Sequence, residues 1–392
     1  MQTLVCVIVN MELSENLKPA MDLIYLVSCA VNEEKPDAEK CAAMNLTEVY
    51  AVAERHSLRS AAAVALEQVM TLPRNFEDGK FKAIRRQSLF DIERSLVLKA
   101  FEENGIWYLP LKGILLKDYY PKTFMREMLD NDILCDYTKP ERVKELMEGL
   151  GYTCKTFGIT HDDEYDKAGM LEFEIHRSLF NQKYYPELYA YFENIKSRLI
   201  KDGNNKYGYH MTDEDFYIFL VCHLYKHYVY DGTGLRSLLD LYVFNKRFGG
   251  RMNEKYLNTE FAKLKLTDFE RDMRNFAQRI FTGQELSEGE TKELAYFISS
   301  DTMGSYDNSL RRQLHNDDSV KSKRKYVLKR LFPSFESLKT AHPVVYKYKV
   351  LYLFWIPYRS VKRVLTKRKK TVYELKQLKL VKSSDDRGKY NQ

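Results

Sequence analysis

The chain has 392 residues, 44% hydrophobic and 30% charged, which supplies a packed core and excludes collagen-like and disordered classes. At this length one large domain or two to three modules are possible, because a single core seldom grows much beyond roughly 250–300 residues. The net charge of +7 is unevenly placed: residues 321–370 hold 16 Lys and Arg against Glu336 alone, leaving the remainder at −8. A basic, aromatic segment on an acidic body points to an anionic surface, either lipid or nucleic acid.

Cys6, Cys29, Cys41, Cys135, Cys154 and Cys222 lie far apart without a C-x-x-C pair, which argues against a structural zinc site and a disulfide framework and fits a reducing compartment. The apolar run Leu4–Val9 has no basic segment before it and no small-residue cleavage site, so no signal peptide is expected. Val350–Ile356 is the longest clean apolar run of the C-terminal hydrophobic stretch, far short of the ~20 residues that span a bilayer.

Residues 11 to about 75 read as helical, from the apolar spacing in Met21–Leu26 and Val49–Ala53 and the alanine-rich run Ala61–Leu66, with Asn45 and Thr47 as cap signals. Asn75–Gly79 reads as a loop. Phe81–Asn104 then carries Ile84, Leu89, Ile92, Leu96, Val97 and Ala100 on one helical stripe that stops at Asn104-Gly105. The character changes at Ile106–Leu109, a short β-prone run ended by Pro110, with Lys112-Gly113 opening a helix through Tyr120. Asp130–Cys135 predicts a second strand, Glu141–Leu150 a helix, Gly151 a turn and Leu171–His176 a third strand. Short strands alternating with helices imply a small mixed sheet covered by helices, an α+β arrangement.

Beyond Asn181 the pattern is helical again. Thr212 with Asp215 forms a cap for a helix through about Tyr228, and the glycines of Asp231–Gly234 break it. Leu235–Phe248 resumes, followed by amphipathic segments near 259–281 and 287–299. No fixed-period repeat emerges. Four regions result: helical 1–80, a mixed core 81–180, helical 181–300, and a basic aromatic region 301–392.

Asp130 and Asp132 share one strand face, so their carboxylates stand about 7 Å apart at the backbone, a span that one or two divalent ions can bridge. Glu174 on a neighbouring strand can supply a third. Oxygen ligands in this number suit Mg²⁺ (or Mn²⁺), and the ordinary alternative is a solvated strand face. Gly113, where a strand hands over to a helix, suits close approach of phosphate to free N–H groups, although a tight turn alone explains one Lys-Gly pair. His176 follows Glu174 by two residues and can share its face. His223 and His227 lie i, i+4 on one helix but lack the Glu of a metalloprotease motif, so with Arg236 and Asp240 they read as an acceptor-side or supporting set. Arg236 and Asp240, also i, i+4, read equally as an ion pair.

The order Leu111-Lys112-Gly113, Tyr120-Pro121, Arg126-x-x-x-Asp130-x-Asp132-Ile133-Leu134 and Glu174-Ile175-His176 resembles the uncharacterised bacterial nucleotidyltransferase family of the DNA polymerase beta-like superfamily. The downstream Cys222-His223-x-x-x-His227 and Gly234–Asp240 also look similar, and the likeness covers about residues 15–250. It implies a nucleotidyltransferase palm at 81–180, with Asp130, Asp132 and Glu174 as catalytic metal-binding acids. Lys112, Gly113, Arg126 and His176 would meet the nucleotide. The implied reaction moves a nucleoside monophosphate from a nucleoside triphosphate to an acceptor hydroxyl of unknown identity, releasing pyrophosphate. One departure is Ile114, where the superfamily usually has a second small residue.

Two other readings stand beside this one. A metal-dependent glycosyltransferase also uses Asp-x-Asp, but the region upstream here is helical rather than α/β. A catalytically idle nucleotidyltransferase-like scaffold fits the altered glycine turn. The expected location is cytoplasmic, with peripheral contact of 321–370 on an anionic membrane; nucleic acid is the second choice, since bases also stack on aromatics beside lysine.

Overall fold

A computed structural model describes residues 2–300, 347 and 355 of the chain. The expectation for the basic segment 321–370 therefore lies outside the described residues, those two positions apart. Within them, residues 2–226 and 233–300 form one compact unit, and residues 227–232, 347 and 355 are assigned to a second.

Five helices lead in: α1 (Gln2–Asn32), α2 (Ala38–Ala42), α3 (Leu46–Arg55), α4 (Arg59–Leu66) and α5 (Arg74–Glu103). Asn45 caps α3 as its sequence predicts, its side chain accepting from the Glu48 N–H. The loop expected at Asn75–Gly79 is instead the first turn and a half of α5, which starts directly after Pro73. Packing overrides propensity here, because Phe76 and Gly79 are both buried and Gly79 lets the helix cross the Arg59 side chain.

The mixed core follows with β1 (Tyr108–Pro110), α6 (Gly113–Leu116), β2 (Asn131–Cys135), α7 (Pro140–Gly149), β3 (Thr153–Thr156), β4 (Asp162–Lys167) and β5 (Leu171–His176). Its strand order is β1-β2-β5-β4-β3, and only the β2–β5 pair is parallel. The sheet thus has five strands where the sequence suggests three. β3 and β4 were hidden because Asp162–Lys167 offers a single large apolar residue, Tyr165.

Alternation along β5 separates two faces. Leu171, Phe173 and Ile175 join Ile133, Cys135 and Tyr165 in a core closed by Phe90, Val97 and Phe101 of α5 and by Val143 and Met147 of α7. Burying those side chains, each worth roughly 1.5–3 kcal/mol, fixes the sheet against the helices. The opposite face carries Asp132, Glu174, His176 and Asp162.

The remaining elements are α8 (Pro186–Phe192), a small hairpin of β6 (Ile200–Lys201) and β7 (Tyr209–His210), α9 (Asp213–Lys226), α10 (Leu235–Phe248), α11 (Glu254–Lys263), α12 (Thr267–Phe281) and α13 (Glu288–Ser299). The chain is accordingly α+β, a small mixed sheet flanked by helices on both sequence sides. No helix among the described residues is long and apolar enough to cross a membrane.

Candidate active site

The parallel β2–β5 ladder sets Asp132 directly opposite Glu174. The β1–β2 ladder extends one residue past β1, where the Leu111 N–H donates to the Asp132 carbonyl at 3.0 Å. Lys112, next in the chain, thereby stands over the acidic strand. Its backbone takes φ 42° and ψ −114°, a conformation glycine adopts freely and lysine only under constraint. The Ile114 N–H closes this turn on the Leu111 carbonyl at 3.1 Å.

From the turn, the Lys112 Nζ donates to Asp132 Oδ1 at 2.8 Å. The same oxygen lies 2.8 Å from His176 Nε2, which is also 3.5 Å from Glu174 Oε2. Asp132 and His176 are buried, whereas the Glu174 side chain is 32% exposed and forms the open lip of the cluster. One ligand atom from each of Asp132, Glu174 and His176 falls within 4.8 Å of the others.

Electrostatics follow from this geometry. Burial opposes ionisation of Asp132, yet Lys112 and His176 overcome it and hold its carboxyl well below the usual carboxylate range. Burial likewise opposes charge on His176, but its hydrogen bonds to Asp132 and Glu174 win and push the imidazole up to about 9. Glu174 is pushed up to about 7 by burial, with Asp132 adding to it and the His176 bond working against it. Asp130 is raised by burial and then by the Asp132 charge, so two neighbouring carboxylates repel in a poorly solvated place. A hard divalent cation relieves that repulsion, and the oxygens of Asp130, Asp132 and Glu174 match its preference. The donor set therefore fits the ion that the chain's sequence implies. Asp130 itself sits one residue before β2 and is not a member of the 4.8 Å cluster.

The segment leading to Asp130 is pinned from several elements. Arg59 Nη2 of α4 meets Glu127 Oε2 at 2.7 Å, and the Ser60 N–H donates to Glu127 Oε1 at 3.0 Å. Arg86 of α5 donates to the Leu129 carbonyl at 2.6 Å, and Arg236 of α10 to the Glu127 carbonyl at 3.0 Å. Arg126 donates twice to Asp240, from Nε to Oδ1 at 3.1 Å and from Nη2 to Oδ2 at 3.0 Å, while the Tyr120 hydroxyl donates to Asp240 Oδ1 at 2.8 Å. Asp240 thus pairs with Arg126 and not with Arg236 one turn away.

Gly113 also meets a steric need that its sequence context does not suggest. Its φ is unexceptional, but a Cβ there would lie 2.4 Å from Arg126 Nη1. The missing side chain makes room for the guanidinium that grips Asp240.

The structure therefore brings Lys112, Asp132, Glu174 and His176 together, sets Asp130 at the edge of their field, and uses Arg126, Arg236 and Asp240 to hold the approach. His223 lies on α9 against Phe219, and His227 opens a single π-turn, His227–Asp231. Neither histidine belongs to a metal-competent cluster among the described residues. Sequence reading missed Arg59 and Glu127, which are 68 positions apart, and gave Tyr120 no partner, Asp240 being 120 positions distant. It also missed His161 and Asp162, because the strand that Asp162 opens lacks an apolar signature.

No curated protein and no solved structure matches the chain significantly. The family model described as uncharacterised nucleotidyltransferase matches residues 42–282, more than half of the chain and all of the sheet with its pinning helices α4, α5 and α10. On that match, the chain belongs to the uncharacterised nucleotidyltransferase family.

Proposed function

We propose that this nucleotidyltransferase-family chain moves a nucleoside monophosphate from a nucleoside triphosphate to an acceptor hydroxyl, in a reaction dependent on Mg²⁺ or Mn²⁺, with pyrophosphate leaving. The observation that carries this reading is the facing pair Asp132 and Glu174 on one ladder, with Asp130 just before it and the Lys112 amine above it. Asp130 and Asp132 are the residues to hold the cation, with Glu174 as the third carboxylate. A divalent ion held there neutralises charge on the reacting phosphate and on the leaving oxygen.

The chain's own groups do the rest. Lys112 is rigidly placed by its turn and, once Asp132 is otherwise neutralised, offers its amine to the phosphates. Glu174, at the exposed lip, is positioned to take the acceptor's proton. His176 holds Asp132 in place through Nε2. Residence in the cytoplasm, from the scattered cysteines, and contact of the basic segment 321–370 with anionic lipid, from its charge, belong to the same reading.

Incubation of the protein with mixed nucleoside triphosphates, Mg²⁺ and host extract, followed by mass spectrometry of the products, tests it. Asp132→Asn is expected to lower turnover by at least about 100-fold while far-UV circular dichroism stays unchanged, a loss typical of removing a group that stabilises transition-state charge. Undiminished turnover in that variant removes the mechanism.

A second reading has its own support. Asp132 Oδ1 already receives two cationic partners, Lys112 and His176, which suits a nucleotidyltransferase-like scaffold that has lost its chemistry. Thermal-shift titration separates the two: stabilisation by a triphosphate that needs Mg²⁺ favours the enzyme, and no response favours the scaffold.

A further inference from the structure

We propose that His161, Asp162 and His176 form a second metal site, for a borderline transition-metal ion of the zinc class, on the same polar sheet face but separate from the carboxylate site. The inference does not require that the chain be catalytically active.

Three observations carry it. The antiparallel β4–β5 ladder pairs Asp162 with His176, and the His161 carbonyl accepts the Arg177 N–H at 2.9 Å, so both flanks of the trio are fixed by backbone bonds. One ligand atom from each of the three residues lies within 4.8 Å of the others, the two imidazoles sit edge to face at 5.5 Å, and His161 Nδ1 is 3.1 Å from Asp162 Oδ1. His176 Nδ1 is buried without a hydrogen bond, and His176 as a residue is only 3% exposed, while His161 Nδ1, also buried, faces the Asp162 carboxylate. A buried ring nitrogen without a partner is costly and calls for a ligand.

The donor chemistry selects the ion. Two imidazole nitrogens with one carboxylate oxygen suit zinc, cobalt or nickel, whereas magnesium takes oxygens and keeps its water. His176 has given Nε2 to Asp132, so Nδ1 is the nitrogen left for the second ion. That arrangement reproduces the carboxylate–histidine–metal relay in which a carboxylate orients a ligating imidazole through its other nitrogen. Asp162 is oriented in turn by the Thr160 hydroxyl, which donates to its side chain and, at 2.9 Å, to its backbone carbonyl. Three protein ligands leave a coordination position for water or substrate. The site contains no cysteine, and its ligands come from the start of β4 and the end of β5.

An ion bound there locks the His176 ring and with it the 2.8 Å contact to Asp132. Occupancy of the two sites is then thermodynamically linked, each changing the other's affinity by the same factor.

The test uses the full chain stripped of metal by a chelator and titrated with Co²⁺ without nucleotide. One equivalent is expected to give the visible absorption of a low-coordinate nitrogen–oxygen site, and one equivalent of Zn²⁺ to displace it. His161→Ala, which removes a ligand, is expected to weaken binding by about 100-fold or more, at least the upper end of what losing a group outside the ligand shell costs, and Asp162→Asn by about tenfold or more. Both are expected to keep the wild-type circular dichroism spectrum and the Mg²⁺-dependent response to triphosphate. If His161→Ala lowers the metal-free melting temperature, His161→Phe, which preserves ring bulk without a ligand, takes its place. The proposal is overturned if the wild-type chain binds well below one equivalent, or if binding survives His161→Ala and His161→Phe but is lost in Glu174→Gln. That last pattern would place the ion among Asp132, Glu174 and His176 instead.

Discussion

Arg126 and Asp240 are 114 positions apart, yet their side chains meet in a two-point ion pair that joins the approach to β2 with α10. Both are almost wholly buried, at 8% and 4% exposure, and Tyr120 completes the acceptor's partners. Removing one member leaves the other charge unpaired in a poorly solvated place. Asp240→Ala is therefore expected to cost about 3–5 kcal/mol in urea unfolding. Asp240→Asn, which retains an acceptor, should cost less. Equal stability of Asp240→Ala and the wild-type chain would show that the pair is idle.

Gly113 and Arg126 make a second, sterically coupled pair. Gly113→Ala forces a methyl group against the guanidinium, 2.4 Å from Nη1, and the expected penalty is about 1–3 kcal/mol. In an Arg126→Ala background that penalty should largely vanish, because the obstacle has gone. A double-mutant cycle by chemical denaturation reads the coupling directly; strict additivity would contradict the account.

Lys112 separates backbone strain from side-chain charge. Lys112→Gly and Lys112→Ala both remove the amine from Asp132, but glycine accepts φ 42° without cost. The glycine variant is expected to be about 1 kcal/mol more stable than the alanine variant, the lower end of the strain carried by such a conformation. Their unfolding midpoints, compared at one pH, measure the difference.

His56 ties acid sensitivity to packing. It is fully buried, its Nδ1 accepts the Leu235 N–H at 3.3 Å, and Gly234 leaves room for the ring. Burial lowers its pKa to about 4, with the Arg55 charge adding to the effect. An unfolded chain takes up this proton near pH 6.5 and the folded chain does not, so the stabilising contribution is complete above pH 6.5 and is lost as pH falls towards 4. Between pH 7.5 and pH 5 the loss attributable to this residue is expected to be about 2 kcal/mol. His56→Gln should flatten the stability profile over that interval, and an unchanged profile would refute the assignment.

Legibility in the sequence tracked apolar pattern. Leu171–His176 was read with correct bounds because large apolar and polar residues alternate along it, and Asp130–Cys135 was placed within one residue for its dense apolar end. Asp162–Lys167 escaped because its inward face relies on Asp163, satisfied by Tyr137 and Arg177 through bonds no local pattern announces. The order of the acids and Lys112 along the chain announces that they lie near one another. The contacts of Arg126, Gly113 and Asp240 are not announced, since each depends on an encounter between distant parts of the chain. An i, i+4 spacing suggested that Asp240 faced Arg236, and a bidentate partner from outside the helix took that carboxylate instead.

The parallel pairing of β2 with β5 has a practical result for anyone altering this protein. The gap between Asp132 and Glu174 is set by the rungs of a hydrogen-bonded ladder, so trimming or grafting the exposed surface of the intervening α7 changes what surrounds the pair without changing its spacing. A single-residue insertion ahead of Asp132 in β2 or ahead of Glu174 in β5 does the reverse: it rolls every later side chain to the far side and turns that acid into the oily interior.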